Sequence, residues 1–290
     1  MRFLLALYLF FLHCSHIVLG SPLGEDDAVV SHCGNELASD EVAAIEERIR
    51  LDVNRLGRNA TDFDSNRITT VKVIWHVIYA TQTKAGGYLS PGAISGSIQA
   101  MNEHYKGSGF TFSLMTVTHT QNKDWFYNAR MGSSVESEMK NTLAKGGSAT
   151  LNIYSVSLPN NLLGYATFPW DYSSNQKLDG VVFLHTSIPG GTMTNYNQGK
   201  TLTHEVGHWL GLYHVFQGNS CTGSGDYVID TPAQKTSTSG CPSSKSSCPN
   251  NGGDGFHNYM DYSYDRCLYL FTFGQRERAK RMSNMYRGLS

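Results

Sequence analysis

The sequence predicts an α/β fold for the part of the chain that starts near Val71. Apolar runs with strand composition alternate there with segments of helical spacing, and roughly 220 residues are ample for one domain with its own core. This alternation favours an α/β sheet layer. Beyond His214 the chain becomes long and rich in Gly and Ser, so the C-terminal part is expected to be irregular.

Each element is expected from its local pattern. Strands are predicted at the apolar, β-branched runs 71–80, 110–118, 150–158 and 181–185. Helices are predicted where a capping residue precedes helical spacing, from Ser39 or Asp40 and from Ser90 to about residue 105. Two more are predicted over 134–144 and, from its helical composition, over 273–287. In the last helix, the basic side chains are expected to form a solvated face; they are Arg276, Arg278, Lys280 and Arg281.

Two segments are expected to precede this domain, which is taken as residues 68–290. Residues 1–20 have one basic residue, an apolar run and small residues before a cut after Gly20, which is typical of a secretory signal peptide. Residues 21–67 are expected to be a removable propeptide. They hold eleven acidic and five basic residues, whereas the chain from Lys72 onward holds thirteen acidic and seventeen basic ones. This asymmetry suggests two units that associate and later part.

The composition also restricts location and partners. The apolar run of the signal is too short for a membrane anchor, and no later stretch approaches twenty apolar residues, so an exported extracellular protein is expected. A net charge of −1 gives no indication of a nucleic-acid partner. The triplet Asn59-Ala60-Thr61 is compatible with glycosylation of Asn59 in that compartment.

One string, H-E-x-x-H-x-x-G-x-x-H beginning at His204, carries the chemistry. His204 and His208 lie four residues apart on a helix and present two imidazoles to one point. Gly211 lacks Cβ and can take the left-handed conformation that brings His214 round as a third ligand. Three protein ligands with one open position are typical of a catalytic zinc site, with one zinc per chain. Glu205, beside the metal, is the candidate general base.

The other histidines have no ligand spacing, and core or surface positions are expected for them; they are His76, His104, His119, His185 and His257. Loop carboxylates at Asp226, Asp230 and Asp254 could bind calcium, although no EF-hand spacing is present and such groups are usually solvated.

The six cysteines fall into three groups. Cys14 leaves with the signal, while four cysteines cluster after the zinc string, where two disulfides would staple the loop in one of three possible pairings: Cys221, Cys241, Cys248 and Cys267. A zinc knuckle from all four is disfavoured, because no C-x-x-C pair occurs and the compartment is oxidising. Cys33 is left over. It could occupy the open zinc position and keep an enzyme latent, pair between chains, or have no role.

The segment Asn258-Tyr259-Met260-Asp261-Tyr262-Ser263, together with the zinc string, resembles the Met-turn of the metzincin clan of zinc endopeptidases. More narrowly, the chain is similar to the pappalysin family, and in particular to fungal-type extracellular metalloproteases. The resemblance is carried by residues 202–214 and 258–262, by Asp230-Thr231-Pro232, and by Phe271-Thr272-Phe273-Gly274-Gln275.

This resemblance implies a metzincin-like domain with a twisted mixed sheet and helices in an N-terminal subdomain, followed by a zinc helix. It also implies an irregular, disulfide-stapled C-terminal subdomain with a Met-turn and a C-terminal helix. It implies that the three histidines of the string bind zinc, that Glu205 is the base, that Met260 lies beneath the metal and that Tyr262 lies near the scissile carbonyl. It also implies the bridges Cys221–Cys248 and Cys241–Cys267, and Cys33 as a zinc-blocking switch. The implied activity is a secreted zinc endopeptidase, made as a latent proenzyme, that acts on protein or peptide substrates.

Two other functions share these residues. A secreted protein could keep the zinc fold and only bind a partner, but the intact Glu205 argues against that. A zinc amidase acting on a non-protein substrate would use the same site. Asp265 and Arg266, which flank the Met-turn, are candidates for the lining of the substrate pocket.

Overall fold

The computed structural model describes residues 32–56 and 67–289, which all belong to one packed unit. The expected signal peptide, Cys14 and the sequon at Asn59 lie outside these described residues. Within the described ranges, no helix is both long enough and apolar enough to span a bilayer.

The described residues contain one mixed sheet of five strands. The strands are β1 (Thr69–Tyr79), β2 (Phe110–Gln121), β3 (Thr150–Val156), β4 (Gly164–Ala166) and β5 (Val181–Leu184). Their order across the sheet is β2-β1-β3-β5-β4. Neighbours pair in parallel except β4, which runs antiparallel to β5 at one edge. The predicted α/β class is confirmed, but β4 was not predicted, because three residues are too few to set up a periodic pattern.

The central strand β1 is apolar on both faces because both faces of the sheet are covered there. Its residues from Val73 to Tyr79 are all buried, so the run is continuous rather than alternating. His76 lies within this run and binds Thr118 Oγ1 through Nδ1 at 2.8 Å and Asn152 Oδ1 through Nε2 at 3.1 Å. Burial lowers the pKa of His76 to about 4. It is a satisfied core histidine, in the position expected for it.

The helices are α1 (Ser39–Leu56), α2 (Pro91–His104), α3 (Lys123–Asn128), α4 (Ser134–Leu143), α5 (Lys200–Trp209) and α6 (Phe273–Arg287). Local caps account for several of their ends. Ser90 accepts from the Ala93 N–H at the start of α2, and Thr272 forms a capping box with Gln275 at the start of α6. The short helix α3, which Asn122 caps, was not predicted.

The prediction of a solvated basic face on α6 is wrong for Arg278. Its side chain is buried because α6 packs between α1 and the end of α5, and it binds Glu46 and the carbonyl of Gly211. Arg287 at the end of the helix is buried as well and binds Asp179 through both terminal nitrogens. The sequence predicted the helix, but which of its faces is buried depends on segments that are distant in the chain.

Candidate active site

Helix α5 carries His204, Glu205 and His208 of the zinc string. Gly207 and Gly211 allow other side chains to pack closely against this part of the chain. Gly211 follows the helix with φ +100°, and a Cβ there would lie 2.6 Å from Cβ of Met282. A residue with a side chain at position 211 would therefore adopt a strained backbone conformation and clash with Met282. A Cβ at Gly207 would lie 2.4 Å from Sδ of Met260, so the absence of a side chain lets Met260 pack beneath the helix. Met260 is fully buried there.

The three histidines of the string converge on one point. The Nε2 atoms of His204, His208 and His214 are separated by 3.1 to 3.2 Å. Nδ1 of His204 donates to the carbonyl of Tyr259, and Nδ1 of His208 donates to that of Leu212, each at 2.7 Å. These carbonyls set the tautomer and the orientation of two rings. The segment 258–263 thus orients a histidine ring of helix α5.

This arrangement fits a bound metal cation. Burial lowers the pKa of His204 to about 4 and holds the pKa values of His208 and His214 well below the usual range. Because Nδ1 of His204 and of His208 is the donor, Nε2 of these neutral rings carries a lone pair. Lone pairs pointing at one another at this distance repel unless a cation lies between them. Three imidazoles are a donor set that suits zinc.

Glu205 lies beside the histidines with its carboxylate almost completely buried. Its Oε2 accepts from the thiol of Cys33 at 3.3 Å, and burial raises the pKa of Glu205 well above its usual range. On its other side the carboxylate meets β4, where a Cβ on Gly164 would lie 2.7 Å from Cγ and 2.8 Å from Oε1 of Glu205. The candidate base therefore fills the space that Gly164 leaves.

Cys33 reaches the site because the N-terminal segment runs along the edge strand β4. The Gly34 N–H donates to the carbonyl of Gly164 at 2.9 Å, and the Leu163 N–H donates to that of His32 at 3.1 Å. The side chain of Asn35 forms a pair of hydrogen bonds with the backbone of Ala166, at 2.7 and 2.8 Å.

These contacts place the sulfur of Cys33 among the histidines. The sulfur and one ring nitrogen from each of the three histidines all lie within 4.8 Å of one another. Among the residues that the structure describes, this is the only such group of potential metal ligands. The buried thiol of Cys33 thus lies next to the ring nitrogens of all three histidines.

Tyr262 follows the Met-turn and lines the same site. Its hydroxyl lies 3.2 Å from Nε2 of His214, and its ring stacks on that of His32 with centroids 4.6 Å apart. Burial raises the pKa of Tyr262 well above its usual range, so the hydroxyl stays protonated and able to donate. The phenol is therefore near the position of any substrate group bound at the histidines.

A small pocket with a cavity volume of about 20 Å³ opens beside His204 and Glu205. Its wall includes Leu163, Tyr196, Lys200, Thr201, Ser263, Asp265 and Leu268, and His32 lies in it as well. Asp265 was expected there, and burial raises its pKa to about 6. Arg266 is not part of the lining. Its guanidinium lies over the ring of Tyr264 instead.

The loop beyond His214 contains two disulfides, Cys221–Cys248 and Cys241–Cys267, which are the pairs that the family resemblance implied. The second bridge ties the loop to the short 3-10 turn Asp265–Cys267 at the pocket. The three carboxylates considered for calcium have separate partners. Asp226 accepts from Thr231, Asp230 from the Gly274 N–H, and Asp254 binds Lys245.

Several residues at this site escaped sequence reasoning. Gly164 and the edge strand around it carry no periodic signal, and neither His32 nor Asn35 belongs to a motif. Their positions follow from the pairing of two segments about 130 residues apart. The Cys33-Gly34 dipeptide was the single local signal that could have pointed to them.

Comparison with known protein families agrees with this geometry. The family model described as Pregnancy-associated plasma protein-A, a peptidase family, matches residues 151–285. Extracellular metalloprotease 1 of Coccidioides posadasii (strain C735) is 41% identical over 253 residues, which cover 86% of this chain and 84% of that protein.

Solved structures of similar fold also match this chain. Mature mirolysin of Tannerella forsythia, solved in complex with a cleaved peptide, has a TM-score of 0.65 at 29% identity, with 77% of this chain and 96% of that chain covered. A promirolysin variant of the same organism has a TM-score of 0.67 at 28% identity, with 88% and 95% covered. The added coverage in the proenzyme comparison is consistent with a matching N-terminal segment.

Proposed function

We propose roles for the residues of this site from one premise: the chain belongs to the pappalysin family of zinc metalloproteases, described as Pregnancy-associated plasma protein-A. It is an extracellular zinc-dependent endopeptidase. In our proposal His204, His208 and His214 hold one zinc ion per chain. When bound, zinc would lower the pKa of a water molecule and polarise the scissile carbonyl. The observation that carries the proposal is the convergence of the three Nε2 atoms.

Glu205 would act as the general base and then as the general acid. Its carboxylate lies next to the histidine cluster and would accept the proton of the attacking water. As general acid it would then pass that proton to the leaving amine. Tyr262 would donate a hydrogen bond to the carbonyl oxygen of the scissile bond as negative charge develops on it.

The edge strand β4 would bind the backbone of a peptide substrate. An extended peptide can add to an exposed sheet edge through main-chain hydrogen bonds, with alternate side chains entering pockets. The Gly164 carbonyl and the Leu163 N–H already bind the backbone of the N-terminal segment in this way, and the backbone of Ala166 binds the side chain of Asn35. A protein or peptide substrate would replace that segment, and one of its side chains would enter the pocket at Asp265.

Residues 21–67 would then be a propeptide that keeps the enzyme latent. Three features support this role: Cys33 lies at the histidine cluster, its thiol contacts Glu205, and its neighbours occupy β4. A thiolate at the zinc would fill the position needed by the water molecule. Removal of the propeptide would free both the metal and the edge strand.

Calcium remains a prediction of the sequence. Asp226, Asp230 and Asp254 have separate partners and give it no further support. No observation favours the binding-protein or amidase alternatives over an endopeptidase.

Glu205→Gln tests the proposed chemistry. The amide cannot take up a proton, so the rate of casein hydrolysis by the processed enzyme should fall by about 10²- to 10⁴-fold. Zinc content, measured by atomic absorption, and the circular dichroism spectrum should not change. Glu103→Gln, at an exposed carboxylate, is the matched control and should retain full activity. Substantial turnover by a zinc-loaded Glu205→Gln enzyme would contradict the role of Glu205.

A further inference from the structure

Helix α1 packs against a surface that borders the histidine cluster, where the ring of Phe168 lies edge-on to that of His208 with centroids 5.4 Å apart. Val42 and Ile49 are buried, and Ile45 and Val53 pack beside them, which is the spacing of one helical face. Leu37, just before the helix, packs there as well. The opposing surface, which we call the aromatic face, consists of Phe168, Trp170, Tyr213 and Met282. These residues form an apolar cluster distinct from the main core of the domain.

A buried ion pair adds specificity to this contact. Arg278 of α6 binds both carboxylate oxygens of Glu46, at 2.5 and 3.3 Å, and their side chains are only 3% and 12% exposed. The same guanidinium donates to the carbonyl of Gly211 at 2.9 Å and lies over the ring of Tyr213. Arg278 thus joins α1 to the turn of the zinc string.

Two polar contacts at the ends of the helix complete the interface. The hydroxyl of Tyr286 donates to Asp52 at 3.0 Å, and the side chain of Gln217 donates to the carbonyl of Leu37 at 3.0 Å. None of these contacts uses Cys33 or a histidine of the string. Cutting the chain after α1 would leave all of them in place.

We propose that the aromatic face with Arg278 is a second binding surface for the propeptide, and that it retains the propeptide after the connection to the domain is cut. The partner that this surface fits is an amphipathic helix with a carboxylate next to its apolar stripe. Release of α1, and not the cut itself, would then limit activation. This inference rests on the proposed cleavage of the propeptide, but the binding it describes does not depend on the thiol of Cys33.

The test uses the full chain with a site for a sequence-specific protease placed within residues 57–66. Cys33→Ala is introduced so that no thiol can hold the propeptide. After cutting, gel filtration and mass spectrometry measure how fast the propeptide leaves the domain. It should co-elute with the domain, and adding Glu46→Arg should speed its release at least about tenfold, because two cations would then face each other in a buried interface.

Glu47→Arg is the matched control, since it makes the same change on the same helix. Glu47 is half exposed and pairs only along the helix with Arg50, so its substitution should change the release rate by less than about twofold. Immediate release from the cut Cys33→Ala chain, or equal effects of the two charge reversals, would overturn the proposal. The activity of the uncut Cys33→Ala chain separately tests the proposed block by the thiol.

Discussion

At the residue scale, the carboxylate of Glu205 fits against β4 because Gly164 has no side chain. The glycine lies on β4 directly against the carboxylate, and the same backbone unit accepts a hydrogen bond from Gly34. A side chain there would have to displace either the base or the strand. Gly164 therefore leaves the space that the carboxylate of the candidate base occupies.

Gly164→Ala should lower kcat by about tenfold or more with little change in zinc content. The added methyl would lie less than 3 Å from three atoms of Glu205, and a small misplacement of a catalytic group has a large effect on rate. Kinetics and metal analysis of the processed enzyme measure both quantities. Gly96→Ala places the same methyl in open space on α2 and should leave kcat unchanged. Equal kinetics for the two variants would show that Gly164 has no positioning role.

At the element scale, the end of α5 is anchored by a buried polar group. Arg287 binds both oxygens of Asp179 at 3.0 Å, donates to the carbonyl of Trp209, and stacks on its ring at 3.8 Å. The indole N–H of Trp209 donates to the same carboxylate at 3.0 Å. Because Trp209 directly follows His208, this group attaches the zinc helix to α6 and to the start of β5.

Arg287→Met should lower the free energy of unfolding by about 3 to 5 kcal/mol, because it leaves the buried carboxylate of Asp179 without its cation. Urea denaturation of the full chain measures the change. Arg50→Met removes an exposed pair with Glu47 and should change it by about 1 kcal/mol or less. Adding Asp179→Asn to Arg287→Met should recover part of the loss. A change of less than 1 kcal/mol for Arg287→Met would rule out this anchoring role.

At the scale of the whole molecule, segments distant in sequence meet at the histidine cluster. The N-terminal segment supplies Cys33, β4 borders Glu205, α5 carries two histidines, and the segment after the loop supplies Met260 and Tyr262. The acidic N-terminal segment also docks on basic α6 through Glu46 and Arg278. The charge asymmetry seen in the sequence thus corresponds to an observed contact.

Cys33→Ala in the uncut chain should give measurable casein hydrolysis, whereas the uncut wild-type chain should be inactive. The thiol would no longer lie at the three histidines. Asn35 and α1 would still hold the segment, however, so the activity should be well below that of the processed enzyme. A zinc chelator should abolish it. An uncut Cys33→Ala chain as inactive as the wild type, but active after processing, would mean that occupation of β4 alone causes latency.

The sequence by itself determined most of the elements and the candidate residues of the site. The zinc string, the cap at Ser90 and the apolar runs of the parallel strands are local patterns, because helix and strand periods act over a few residues. The membership of a zinc metalloprotease family was likewise identified from contiguous motifs, and the comparisons confirmed it.

Only the tertiary structure decided how these parts meet. No periodic pattern in the sequence predicts the strand β4, the fit of Gly164 against Glu205, the burial of Arg278 or the path of the Cys33 segment. Each depends on a contact between segments that are far apart in the chain, and the identity of one residue does not specify its distant partner. The sequence therefore identified the candidate ligands and the candidate base, while long-range packing determined what surrounds them.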